Sequence, residues 1–138
     1  MKKFHLPDET SLALKTRSTN KLVSLYSYNQ FNSNPLITFL TANSDIGVMR
    51  NGGRQGAFLG PKVILNEYGK FQNHFKSNSP IQIHSVSDLN KEIDNYESSQ
   101  NLQTDSIKNI ISGIKNQSPI VHLGGGHDHI NSFLCAVQ

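Results

Sequence analysis

The chain has 138 residues, 36% of them hydrophobic and 17% charged, with a net charge of +3 and a pI near 9.1. That length suits one domain and one core, and the basic residues are scattered, with Lys2-Lys3 the longest run, which argues against the basic stripe of a nucleic-acid binder. No apolar run approaches membrane-spanning length, and Met1–Glu9 has no h-region of a secretory signal, so a cytoplasmic protein is expected.

Residues 1–34 form a polar N-terminal segment with isolated Leu12 and Leu14. Its one compact apolar patch, Lys21–Tyr26, fits a short helix or a short strand, and Tyr28–Asn34 reads as a turn-rich stretch. From residue 35 onward the pattern changes. Pro35–Thr41 is a nearly continuous apolar run, as in a parallel strand covered on both faces. A glycine-rich loop, Ala42–Gly60, follows. Pro61 suits the first turn of a helix, and Val63, Ile64, Tyr68 and Phe71 continue at helical spacing. Ile81–Val86 predicts a second strand. Ser87–Thr104 is polar and reads as loop plus the start of a helix, and it is the best candidate for a flexible connection. Ile107, Ile110, Ile111 and Ile114 mark one face of that helix, with Asp105 near its start and Lys115 near its end, the arrangement its dipole favours. Pro119–Leu123 predicts a third strand. After three glycines, Ile130, Phe133, Leu134 and Val137 suggest a last helix. The single cysteine, Cys135, excludes an intrachain disulfide, and its apolar neighbours predict a buried, inert thiol. The alternation of strands and helices predicts an α/β domain with a parallel sheet and right-handed crossovers.

Ligands of open α/β sheets bind at the carboxyl ends of the strands. Two glycine-rich loops fall at such ends and are expected to share one edge of the sheet. In Gly124-Gly125-Gly126-His127-Asp128-His129 the glycines let the chain turn sharply and hold His127 at the mouth of the sheet. A neutral imidazole there is a transition-metal ligand. Asp128 is a candidate oxygen ligand or orienting group, or else a helix-capping residue. His129 would point elsewhere if the segment is helical, and His122, inside the strand, reads as a satisfied core or interface histidine. The loop lacks the Gly-Lys-Ser/Thr ending of a P-loop and the Gly-x-Gly-x-x-Gly spacing of a dinucleotide site. In the other loop, Arg50 and Arg54 flank Asn51-Gly52-Gly53. Arginine grips carboxylates through paired hydrogen bonds, which makes Arg50, Asn51 and Arg54 candidate substrate-binding residues. A surface turn with two solvated arginines is the alternative.

Asp45-Ile46-Gly47-Val48-Met49-Arg50-Asn51-Gly52-Gly53-Arg54-Gln55-Gly56-Ala57, followed by Gly60-Pro61, resembles the N-terminal signature of formimidoylglutamases, of the arginase–agmatinase (ureohydrolase) superfamily. Leu123–Asp128 resembles that superfamily's Gly-Gly-x-His motif, whose histidine ligates a dinuclear manganese site. The resemblance covers residues 35–138. It implies an arginase-like three-layer α/β fold with helices on both faces of the sheet, His127 as a manganese ligand, and hydrolysis of a C–N bond in a linear amidine. In formimidoylglutamase the substrate is N-formimidoyl-L-glutamate, from histidine degradation, and the products are L-glutamate and formamide. The superfamily's Asp-x-His-x-Asp and Asp-x-Asp motifs are absent, and no Asp follows Asp128. The expectation is therefore the N-terminal part of a longer enzyme, inactive alone, that associates as a homo-oligomer or through an exposed sheet edge. A noncatalytic α/β binding module is the competing reading. Arginase or agmatinase specificity also stays open.

Overall fold

The computed structural model describes residues 21–75, 77–86, 96–114 and 118–138. Leu12, Leu14, the stretch 87–95 and Lys115 lie outside these residues. The described part is an α/β fold built on a four-stranded, all-parallel sheet: β1 (Tyr26–Tyr28), β2 (Ile37–Ala42), β3 (Ile81–Val86) and β4 (Ile120–Gly124), in the order β1-β3-β2-β4. The three predicted strands are present. The patch at Lys21–Tyr26 divides into a 3-10 turn, Leu22–Leu25, and the start of β1, a fourth strand that pairs with β3.

Four helices accompany the sheet: α1 (Ile46–Arg50), α2 (Gly60–Gly69), α3 (Tyr96–Gly113) and α4 (His129–Val137). Side chains alternate along each strand and so build two cores. Phe39, Ile81 and Ile83 pack with Leu22, Leu65 and Tyr68, which places α2 on one face. Leu40, Ala42 and Val86 pack with Ile107, Ile110, Ile111, Phe133 and Ala136, which places α3 and α4 on the other. The connection from β2 to β3 and the one from β3 to β4 run in opposite directions along the sheet, so crossovers of one hand must lie on opposite faces. No helix among the described residues is long and apolar enough to cross a membrane.

Several local expectations are corrected. The glycine-rich loop after β2 is not featureless: it contains α1 and a 3-10 turn, Ala57–Leu59. The helix expected to begin within Ser87–Thr104 is present from Tyr96, and it starts early enough that Asp105 sits in mid-helix, with a polar stripe, Ser99 and Gln103, buried before Ile107. On α2, Pro61, Leu65 and Gly69 are buried, while Val63 and Ile64 are exposed, as is Phe71 just beyond the helix. On α4, the inward stripe is His129, Ser132, Phe133 and Ala136. Ile130, Leu134 and Val137 are therefore turned outward at 49%, 52% and 50% exposure. The same rotation exposes Cys135, whose neighbours in sequence are not its neighbours in space.

Candidate functional site

Strands β2 and β4 are hydrogen-bonded neighbours, and their last residues, Ala42 and Gly124, stand opposite each other. The chain leaving β2 goes on to α2 on one face, and the chain leaving β4 goes to α4 on the other. A crevice opens at such a divergence, beyond the carboxyl ends of the strands. Both glycine-rich loops meet there. Gly125 N–H donates to Ala42 O and Gly126 N–H to Ser44 O, each at 2.9 Å. Ser44 O and Phe58 Cα lie where a Cβ on Gly125 would have to go, so glycine is required by close backbone approach.

The loop after β2 is closed on itself. Asp45 is buried, and its Oδ2 accepts from Gly56 N–H at 2.8 Å. Gly56 has φ 125°, which only glycine adopts without strain. The intervening α1 leans over the second loop, and Gly47 packs against the Asp128 side chain. The result is an open cleft with about 660 Å³ of empty space, lined by Gly47, Val48, Arg50, Asn51, Tyr96, His127 and Asp128.

The structure thus brings Arg50, Asn51 and His127 to one cleft. Arg54 does not line it and is exposed farther along the loop. The Arg50 guanidinium lies over the Tyr96 ring, 4.9 Å from its centroid, a cation–π arrangement. Tyr96 accepts a hydrogen bond from Gln100 Nε2 at 2.8 Å. Its hydroxyl pKa is raised by burial first and by the Asp128 charge second.

His127 is exposed and also borders a second cleft, which holds His122, Gly124–Gly126, His129 and Ile130. Asp128 precedes the first residue of α4, yet its carboxylate makes no capping bond. It turns toward Gly47 and the Tyr96 hydroxyl instead, and both oxygens are shut off from solvent. His122 differs from its expected satisfied state. Its ring stacks on Phe133 at 4.9 Å, but Nε2 is buried and unpartnered. Burial first, and the neighbouring His129 second, push its pKa down to about 4.

His129 is the residue whose importance the sequence reading understated. It is 1% exposed, and both ring nitrogens are engaged, Nε2 with Ser44 O and Nδ1 with the Gln103 side chain, each at 2.9 Å. Helical arithmetic carries the signal: residue 129 shares a face with Ser132, Phe133 and Ala136.

Among the described residues no three His, Cys, Asp or Glu side chains come together as a metal-binding set. One imidazole and one carboxylate are too few for two divalent ions, which take four to six ligands each. The residues present therefore do not by themselves fit a dinuclear manganese site. The chain matches no protein-family model and no curated protein.

Proposed function

We propose that the chain is the N-terminal part of a manganese-dependent ureohydrolase of the formimidoylglutamase type, which hydrolyses N-formimidoyl-L-glutamate to L-glutamate and formamide. The observation that carries this reading is the junction of the two motif-bearing loops. They leave adjacent parallel strands, bond directly through Gly126 N–H and Ser44 O, and put His127 and Arg50-Asn51 on one cleft. In this reading His127 is one metal ligand. The remaining carboxylates come from polypeptide laid against the open side of β4, completing an arginase-like three-layer sheet. Arg50 and Asn51 supply donors suited to the substrate's carboxylates. Arg54, outside the cleft, would act only if its loop closed further.

The outward stripe of α4 and the edge position of β4 support association there, either with a second copy or with the remainder of the enzyme. Among the described residues nothing pairs with the outer side of β4, and such an edge invites pairing. A noncatalytic binding module is the second reading, and the missing metal set among the described residues favours it. One assay separates the two. The chain is fused to the part of a formimidoylglutamase that follows its Gly-Gly-x-His loop, and manganese-dependent release of glutamate is measured. Activity that falls at least about a hundredfold in His127→Ala, a loss typical of a missing electrostatic or metal contribution, supports the enzyme reading. A folded chimera without activity overturns it.

A further inference from the structure

We propose that His129 is the positioning residue of this site: its bond to the Ser44 carbonyl clamps the Gly124–Asp128 turn onto the loop after β2 and so sets where His127 stands. The value of that placement to catalysis rests on the ureohydrolase reading of His127, but the clamp itself does not.

A carbonyl oxygen has two lone pairs, and those of Ser44 are both used. One accepts Gly126 N–H at 2.9 Å and the other faces His129 Nε2 at 2.9 Å. A carbonyl cannot donate, so Nε2 must carry the hydrogen. The other ring nitrogen meets Gln103, whose amide can offer either its oxygen or its NH₂. Gln103 therefore holds the ring whichever way its amide is turned, while Ser44 fixes which nitrogen carries the hydrogen. Gly124 leaves room for the ring: a Cβ there would come within 3.3 Å of His129 Cδ2.

The clamp joins three parts of the fold. Ser44 belongs to the loop after β2, Gln103 to α3 and His129 to the first turn of α4. Asn131 Nδ2 and Ser132 Oγ add bonds to Gln100 Oε1 and O, at 3.4 and 3.3 Å, farther along the same helix pair. His127 lies two residues before the clamp. Its neighbour Asp128 makes no capping bond, so His129 is the first residue of α4 whose side chain ties the turn to the loop after β2.

The test uses the full chain and two substitutions that separate the two ring nitrogens. In His129→Gln the amide nitrogen stands close to the position of Nε2 and can still donate to Ser44 O. In His129→Asn it stands close to Nδ1, keeping the Gln103 contact and losing Ser44. Amide hydrogen exchange at Gly126 is read by NMR, with Leu40 and Ile83 as sheet controls, together with the ring shifts of His127. The Gln variant should stay within about threefold of wild type, and the Asn variant should exchange about tenfold faster or more, as expected for one lost buried hydrogen bond. The His127 ring shifts should move in Asn only. Equal behaviour of the two variants, whether both protected or both open, overturns the clamp; the smaller volume of Asn alone would loosen the core generally and show at Leu40 and Ile83 as well. Should either variant lose protection at Leu40 and Ile83, the wild-type ring decides. Long-range ¹H–¹⁵N spectra must show Nε2 protonated, and an Nδ1–H tautomer overturns the proposal. The chimera assay can fail with these results intact, and the reverse also holds.

Discussion

Replacing Gly125 by alanine tests the loop junction directly. The new Cβ would lie more than an ångström inside ordinary contact with Ser44 O and at 3.0 Å from Phe58 Cα. Both obstacles are backbone, so no side chain can swing away. Relief requires the turn to separate from the loop after β2. That separation stretches the Gly126 N–H and His129 Nε2–H bonds to Ser44 O, both 2.9 Å long. Two buried hydrogen bonds contribute about 2 kcal/mol net, and the overpacking adds about 1–3 kcal/mol. Alanine recovers up to about 1 kcal/mol by restricting the unfolded chain, which leaves a loss of roughly 2–4 kcal/mol. Urea denaturation followed by circular dichroism measures it from the shift in midpoint at a shared slope. Gly52→Ala is the control. Gly52 has φ 70° and open space around the Cβ position, so only backbone strain of about 1–2 kcal/mol is expected. If Gly125→Ala is no more destabilising than Gly52→Ala, the close junction of the loops is refuted.

Two further expectations follow from the β4–α4 end. His122 is neutral in the fold because its pKa is depressed from 6.5 to about 4, so the unfolded chain binds the extra proton first. Its contribution is fully present above pH 6.5 and is lost as pH falls toward 4. A shift of that size in a wholly buried group is worth about 3 kcal/mol, and solvent screening at this half-buried ring reduces it to roughly 1–2 kcal/mol. Urea midpoints between pH 7 and 4 should therefore fall less steeply in His122→Phe, and parallel curves would exclude the effect. Leu134→Glu places a charge in the outward stripe of α4. It should lower the weight-average mass in sedimentation equilibrium while changing stability by less than about 0.5 kcal/mol, as for an exposed site. A wild-type chain that is monomeric at all concentrations would remove the basis for edge association.

The strand at Ile37 was legible because a parallel strand covered on both faces is a continuous apolar run, whereas Gln82, His84 and Ser85 interrupt the one at Ile81 and left a weaker signal. β1 was not legible. Three residues, Tyr26-Ser27-Tyr28, on an outer strand carry too little apolar pattern to separate a strand from a turn. The start of α3 was legible only as lying somewhere in Ser87–Thr104: its buried face there is Ser99 and Gln103, polar residues that a hydrophobic pattern does not register. Gln103 is inside because it meets His129, and His129 is inside because it meets a backbone carbonyl. These choices are made by tertiary hydrogen bonding, which periodicity cannot foresee. α4 shows the limit most directly. Ile130, Leu134 and Val137 form the better apolar stripe, yet the helix buries the stripe of His129, Ser132, Phe133 and Ala136. The meeting of the two glycine loops was legible in outline, since both follow strands. The strand order that makes β2 and β4 adjacent was not.

The unsatisfied chemistry of the fold is concentrated at one end. His122 Nε2 is buried with no hydrogen-bond partner among the described residues, and six residues on the Asp128 carboxylate is shut off from solvent with the Tyr96 hydroxyl beside it. The outward apolar stripe of α4 begins just beyond them. At the other end of the sheet, Tyr26 Oη donates to Leu65 O at 2.9 Å and Asn29 Oδ1 accepts Ser85 N–H at 3.1 Å. Each orphaned buried group costs about 1–3 kcal/mol, and exposed apolar side chains forgo the gain of burial. The β1–β3–β2 part of the sheet therefore stands largely on its own contacts, whereas the β4–α4 part has the most to gain from a partner. Polypeptide that laid a strand on β4 and brought a polar group to His122 would relieve these costs where His127 already faces the cleft. Completing the fold and completing the site would then be the same event.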